Sequence, residues 1–370
     1  MSSMFSKSIV SGCAIFSMLF GSGNVVFPLI LGKIYADNWL LALVGWLVAA
    51  VAIPMLGYYG AMLFDGDNKK YLAPLGKHLT FAVIFLIMMM VGPLGVGARI
   101  VNVAFGGIHN VAPQISLPLF SGIYTLLTVI LAYNPGKVIQ IIGVIFTPLK
   151  FGGVAAIVLG ALYFGGSFEH TGETTNMAAL MNGFNMGYQT MDLTAALFAA
   201  GGVYCYIKNV LPESERENKK SIVKLAKGAC IIGGLLLAIA YLGLLLIGVQ
   251  YSDQLVDTPS EEIFSRIAEL AMGLSASWFV SIVIAVSCLA TATFLCSAFT
   301  DYIHQDILKG KFKRTPILIT VGLTIFSMSL LGFGQICQIL GMILEKIYPI
   351  LMVFIGCRIF YYYAVINKRK

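Results

Sequence analysis

Three charged residues stand deep inside apolar stretches of this sequence: Arg99, Lys150 and Asp192. An ionisable side chain at membrane depth is expensive, so each points to binding or moving a charge. Asp192 closes a run in which glycines and polar groups replace the usual aliphatics, Asn182-Gly183-Phe184-Asn185-Met186-Gly187-Tyr188-Gln189-Thr190-Met191-Asp192. Lys150 lies midway through Phe146-Thr147-Pro148-Leu149-Lys150-Phe151, too far from either end of its stretch to snorkel easily. A buried amine there can load and release a proton, or form a permanent ion pair. Arg99 is best read as a structural charge that neutralises Asp192. The hydroxyls of Ser287, Thr291 and Thr293 offer oxygen to a small hard cation such as sodium, although helical Ser and Thr often bond back to their own carbonyls.

The same residues argue against bond-making chemistry. His78, His109, His170 and His304 are scattered over loop positions, and no HExxH, DxxD or GxSxG pattern occurs. Seven cysteines lack CxxC or metal-ligand spacing. An integral-membrane enzyme acting on lipid is therefore a distant alternative. No resident cofactor is expected, only a sodium ion or a proton as coupling ion.

The elements that hold these groups must cross a bilayer. Apolar residues make up 58% of the 370 and charged residues only 11%, against about 25% charged in soluble domains. A spanning helix needs about 20 apolar residues. Apolar runs predict ten spans, near 8–31, 38–64, 80–106, 116–133, 138–164, 178–206, 226–250, 274–299, 316–333 and 337–363. Loop charge agrees with this count. Lys7, Lys69, Lys70, Lys77, Lys137, Arg216, Lys219, Lys220, Lys224, Lys309, Lys311, Lys313, Arg314 and the terminal Lys368, Arg369 and Lys370 fall on one side. Glu169, Glu173, Asp253, Asp257, Glu261 and Glu262 fall on the other, with Lys33 and Arg266 as exceptions. Both termini are thus expected to be cytoplasmic, in a multi-pass protein of a cytoplasmic (inner) membrane. The net charge of +7 reflects topology and calls for no nucleic acid. The expected partners are the lipid bilayer and a small-molecule substrate, with no obligate protein partner.

Two spans are interrupted at matching places. In the first, Gly21-Ser22-Gly23-Asn24 precedes Val25-Val26-Phe27-Pro28 at mid-membrane depth. The sixth carries the run ending at Asp192. A broken helix is tolerable only inside the protein or beside a wet cavity, where its free N–H groups suit a carboxylate and its free carbonyls suit an ammonium or a cation. Glycine-mediated helix packing is the bland alternative. Disturbed helices at corresponding positions of two five-span halves point to an inverted repeat with the substrate at the repeat interface. The expectation is an all-α polytopic protein, one transmembrane transporter domain over 1–370, its repeats covering about 8–164 and 178–363. Gly21, Ser22, Gly23, Asn24, Tyr188, Gln189, Thr190 and Asp192 would contact the substrate, and Lys150, Ser287, Thr291 and Thr293 would serve coupling. A candidate sodium site joins Gly21 to Thr291.

These motifs resemble the bacterial branched-chain amino acid:cation symporter family, whose members share the five-plus-five inverted-repeat fold of the leucine transporter. Leu19-Phe20-Gly21-Ser22-Gly23-Asn24-Val25-Val26-Phe27-Pro28 is similar to the family's first-helix pattern. Gly183-Phe184, Gly187-Tyr188 and Thr190-Met191-Asp192, running on to Ala195-Ala196-Leu197, resemble its sixth, and Tyr348-Pro349-Ile350 its tenth. The likeness spans nearly the whole chain, family members commonly having two further C-terminal helices. It implies import of a neutral branched-chain amino acid by cation-coupled alternating access, with the zwitterion held by the first and sixth helices. It also makes Gly21, Gly23 and Asn24 substrate or cation contacts. Another substrate, such as an aromatic amino acid, carried with protons or without ion coupling, is the nearest alternative. Departures from the pattern touch coupling. The third helix keeps Gly92-Pro93 and Arg99 but has Ala98 and Ile100 beside the arginine, and Gly106 where a glutamate is usual. Adjacent threonines of the eighth helix become Ala290-Thr291, and an apolar position of the fifth becomes Lys150. The resemblance implies that an amine there stands in for sodium.

Overall fold

A computed structural model describes residues 4–21, 23–133, 151–165, 168 and 174–366. The described residues are almost entirely helical. Six helices are long and apolar enough to cross a bilayer: Ala36–Leu63, Asn68–Val111, Asn176–Val210, Lys219–Gln250, Leu274–Ile307 and Gly332–Val365. The bent pair Met4–Leu19 and Gly23–Ile34 forms a broken span, and shorter apolar helices cover Leu117–Tyr133, Phe151–Phe164 and Arg314–Ser329. In chain order these are spans 1 to 10, in register with the ten apolar runs of the sequence. The first part of the fifth run lies outside the described residues.

The breaks have local causes. Span 1 divides into 1a (Met4–Leu19) and 1b (Gly23–Ile34), which meet at 75°. The Gly21 amide reaches only the Leu19 carbonyl, at 2.6 Å, so the α-helical ladder stops there. Within 1b, Pro28 has no N–H to donate to the Asn24 carbonyl, which frees a second acceptor close to the break. Span 6 divides into 6a (Asn176–Tyr188) and 6b (Asp192–Val210). Met191 between them adopts a left-handed conformation, φ 60°, which no helix can continue through. Span 3 is also interrupted, at Gly92-Pro93-Leu94-Gly95.

Packing reveals the repeat. Halves 1a and 1b lie along span 7, and correspondingly 6a and 6b lie along span 2. Exchanging each helix with the one five later maps the first pair onto the second. Spans 3 and 8 pack together, as do 4 and 9, and each of these pairs maps onto itself. Both long seams rest on glycine. A Cβ at Gly45 would come within 2.0 Å of the Leu180 carbonyl oxygen, and one at Gly183 within 2.1 Å of that of Ala42. Along span 7, a Cβ at Gly32 would meet the Leu245 carbonyl at 2.2 Å and one at Gly248 that of Leu29 at 2.4 Å. Small residues let the backbones approach where lipid offers no hydrophobic drive for association.

Cross-links between loops obey an even span count. Lys69, where span 3 begins after span 2, pairs with Asp306 at the end of span 8, and Arg314, at the start of span 9, donates to the Ala132 carbonyl at the end of span 4. Asp37, where span 2 begins after span 1, accepts from the Thr174 amide after span 5, while His109, at the end of span 3, meets Glu262, after span 7, at 2.8 Å. Loops after even spans touch one another, and loops after odd spans do likewise. The lysine-rich loops all belong to the even set, on the side of both described chain ends.

Candidate functional site

The two breaks face one another, joined by side chains. The Asn24 amide of 1b donates to both carboxylate oxygens of Asp192, at 2.9 and 2.8 Å. Tyr241 of span 7 donates its hydroxyl to the same carboxylate at 2.9 Å and accepts from Asn24. Asn24 is 3% exposed, Asp192 2% and Tyr241 not at all, so the three polar groups have left water entirely. A carboxylate so placed is tolerable because amide and phenol donors converge on it, and because Asp192 opens 6b, where free N–H groups favour negative charge. The Asp192 amide donates to the Thr190 hydroxyl at 3.3 Å, and that hydroxyl donates to the Gly187 carbonyl at 2.9 Å. Thr190 therefore ties the two halves of span 6 across the break.

Arg99 lies 2% exposed in span 3. Among the described residues no ion pair joins it to Asp192. It donates instead to the Gln189 carbonyl at 2.6 Å and sits over the Phe27 ring at 5.4 Å from the centroid. The guanidinium thus takes up an acceptor set free where 6a ends. Gln189 reaches the Cys337 carbonyl of span 10 at 3.2 Å. The Tyr188 ring packs between Phe184, which it meets edge-on at 5.0 Å between centroids, and Tyr348, tilted at 4.8 Å. Buried polar atoms in this region that have no hydrogen-bond partner among the described residues include Arg99 Nε, Gln189 Oε1, Trp46 Nε1 and the Tyr348 hydroxyl. Trp46 packs edge-on against Tyr241, 5.6 Å between centroids, and Phe27 lies 6.5 Å from it. Unsatisfied buried donors and acceptors of both kinds suit a ligand that carries both charges. The aromatic wall continues through Phe20, Phe16 and Phe151, offering apolar surface beside the break.

The glycines divide by role. Gly183 and Gly187 are packing residues, pressed against Ala42 and Ala49 of span 2. Gly21 and Gly23 are not: a Cβ at Gly21 would find its nearest neighbour at 3.7 Å, and one at Gly23 would meet only the Phe27 ring of its own helix. The packing alternative thus accounts for the glycines of 6a and leaves those of the first break to conformation.

The hydroxyls of span 8 stand apart from this constellation. Thr293 is fully buried and donates to the Leu289 carbonyl at 2.7 Å, and Thr291 donates to that of Ser287 at 3.4 Å. Both follow the back-bonding habit of helical threonine. Among the described residues no hydrogen bond links Thr291 or Ser287 to Gly21, and no cluster of His, Cys, Asp or Glu is arranged to hold a metal. Ser22 and Lys150 lie outside the described residues. Sequence reasoning missed Tyr241, the hydroxyl that completes the Asn24–Asp192 pair. Its signal was a tyrosine in an otherwise aliphatic span, since a buried phenol needs a partner.

Comparisons with known proteins identify the family. A family model described as branched-chain amino acid transport protein matches residues 4–369. The chain is 28% identical to the branched-chain amino acid permease BrnQ of Bacillus subtilis over 92% of its length and 78% of that protein's. It is 29% identical to the permease BraB of the same organism, over 94% and 78%. BrnQ of Escherichia coli is 28% identical, over 93% and 78%. Among solved structures, a Na+-coupled sialic acid symporter in a substrate-bound outward-open state is similar at 10% identity, with TM-score 0.46 over 88% of this chain and 80% of that one. That likeness is too loose to carry an argument.

Proposed function

Because the chain belongs to the branched-chain amino acid transport protein family, we propose that it imports a neutral aliphatic amino acid by alternating access between its two repeats. It is a multi-pass membrane transport protein rather than an enzyme. The observation that carries the finer reading is the buried Asn24–Asp192–Tyr241 constellation, which couples 1b, 6b and span 7 beside two helix breaks. The zwitterion lies between the breaks. Its carboxylate takes the free N–H groups at the start of 1b, and its ammonium takes the carbonyls freed at the breaks, near the Asp192 carboxylate. Phe20, Phe27 and Trp46 receive the aliphatic end. Opening toward either side requires span 1 to move against span 6, and that motion must break or carry along the bonds from Asn24 to Asp192.

A cation gradient drives the cycle, the ion being sodium at the first break with Thr291 or a proton held through Lys150. Loop charge supports cytoplasmic placement of both termini in a cytoplasmic membrane. The test is uptake of labelled leucine into proteoliposomes with sodium and proton gradients imposed separately, for wild type, Asp192→Asn and Lys150→Ala. Leucine accumulation by wild type under either gradient and its loss in Asp192→Asn support the reading. Proton-driven uptake lost in Lys150→Ala assigns coupling to the lysine, and sodium-driven uptake assigns it to the first break. No accumulation under either gradient overturns the reading.

A further inference from the structure

One side of span 7 is built as a stripe that changes character along its length. Lys220, Lys224 and Lys227 recur at intervals of four and three, one helical face, and that face continues through Ile231, Leu235 and Ala238. At a rise of about 1.5 Å per residue, the basic part runs about 10 Å and the apolar part about 16 Å more. Two contiguous cavities lie along it. The first, about 640 Å³, is lined by Asn218, Lys219, Lys220, Lys224 and Lys227 together with Tyr59, Tyr362 and Tyr363. The second, about 530 Å³, runs between Val51, Met55 and Leu56 of span 2 and Ile231, Leu235 and Ala238 of span 7. Tyr59 and Lys227 line both cavities, so the basic one opens directly into the apolar one.

Charge here is left over by the fold. Lys219 is engaged by Asp65. Lys220, Lys224 and Lys227 are exposed and have no acidic partner among the described residues. The tyrosines mark the depth of this site: Tyr59 ends its hydroxyl on that of Tyr363, and such amphipathic rings favour the level of lipid headgroups. The loops that meet here follow spans 2, 6 and 10, on the lysine-rich side. An anion at headgroup level attached to an aliphatic chain fits both cavities at once. A soluble anion would fill only the first, and a neutral lipid would leave three lysines unanswered.

We infer that this groove between spans 2 and 7 binds one anionic phospholipid, its phosphate among Lys220, Lys224 and Lys227 and one acyl chain along Met55, Leu56, Ile231, Leu235 and Ala238. A lipid wedged there touches the helices that carry 1a, 1b, 6a and 6b, so its occupancy bears on the rocking of one repeat against the other.

The experiment is native mass spectrometry of the purified, delipidated protein titrated with phosphatidylglycerol, phosphatidylcholine or inorganic phosphate. Phosphatidylglycerol is expected to bind at least about tenfold tighter than phosphatidylcholine, with inorganic phosphate failing to displace it. The triple variant Lys220→Gln, Lys224→Gln, Lys227→Gln should abolish that preference. The charge-matched triple Lys309→Gln, Lys311→Gln, Lys313→Gln, on the same side but away from the groove, should keep it. Ala238→Phe, which blocks the apolar cavity, should weaken phosphatidylglycerol binding. Unfolding midpoints without lipid, equal to wild type, identify variants that fold, and a second blocking variant, Leu235→Trp, replaces Ala238→Phe should that one fail to do so. Equal retention of the two lipids, equal losses in the two lysine triples, or full displacement by inorganic phosphate would overturn the assignment.

Discussion

Asn24 and Asp192, separated by 168 positions in sequence, meet in a two-pronged hydrogen bond that joins the first helix break to the second. This single contact spans the boundary between the repeats. In the proposed cycle it would close one face of the substrate region and would have to be remade or moved at each turnover.

Exchanging the two side chains separates structure from transport. Asp192→Asn keeps the size of the group but removes its charge, and Asn24→Asp places a second carboxylate within hydrogen-bond distance of the first. Each single variant is expected to lower leucine uptake at least about tenfold, equivalent to about 1.4 kcal/mol. Asn24→Asp should also lower the unfolding midpoint, because two buried carboxylates repel. The double exchange restores one amide facing one carboxylate, so its midpoint should recover while its uptake does not. Full recovery of uptake in the double variant would reduce the pair to a structural clasp.

The glycines allow a similar separation. Gly183→Ala forces a methyl group to 2.1 Å from a backbone oxygen that cannot swing aside, and should destabilise by about 3 kcal/mol, the upper end of overpacking costs. Gly21→Ala meets nothing closer than 3.7 Å. It should fold with a midpoint close to wild type and still lose transport, because a better helix former extends the ladder into the break. Thermal unfolding in detergent and uptake in proteoliposomes, measured on the same preparations, check both halves. Equal damage to folding by the two substitutions would place Gly21 among the packing residues.

Much of this was legible in the chain. Ten apolar runs located the spans, because a bilayer imposes that constraint locally, although the helices of spans 3, 7 and 8 extend well beyond their runs, to Asn68, Lys219 and Ile307. The matched breaks were legible because glycine, proline and polar side chains cluster where helices are otherwise favoured. The partners of the deep charges were not. Arg99 was read as a structural charge beside Asp192; among the described residues it forms no ion pair with that carboxylate, and it donates to the Gln189 carbonyl next to the break at Met191. Tyr241 joined Asp192 only through the tertiary pairing of spans 6 and 7 with span 1. Gly183 and Gly187 looked like signs of a break and proved to be seats for span 2, since composition does not distinguish a glycine that bends from one that packs.

On the lysine-rich side, Asp65 binds Lys219, Lys70 and the Tyr204 hydroxyl. Burial pushes its carboxyl up, but the hydrogen bond and charge of Lys219, with help from Tyr204 and Lys70, hold it below the usual carboxylate range. A lowered folded-state value means that this contribution is complete above the ordinary carboxylate pKa and is lost as pH falls through the lower, folded one. Asp65→Asn is the suitable probe, because Asn tolerates the left-handed conformation at this position, φ 65°. It should lower the midpoint modestly at pH 7, by no more than about 1 kcal/mol for so exposed a pair. The difference from wild type should vanish in strong acid. A difference that persists there would show that Asp65 acts through its shape rather than its charge.

On the opposite side, Glu261 illustrates the reverse sign. Burial raises its carboxyl, and the neighbouring Glu262 raises it further, while its own backbone amide and His109 pull it down without prevailing. Its main chain fills the space beside Gly106, where a Cβ would lie 2.5 Å from the Glu261 carbonyl oxygen. A raised folded-state value means that the folded loop binds a proton more tightly than the unfolded chain does. Its stabilising contribution is therefore present at low pH and lost as pH rises through the folded value. Glu261→Gln mimics the protonated form and should unfold at a higher temperature than wild type at pH 8, with the two curves converging as pH falls through the raised value. Gly106→Ala should displace the same loop and cancel the gain. A midpoint for Glu261→Gln below that of wild type at pH 8 would show that the carboxylate is held in its charged form.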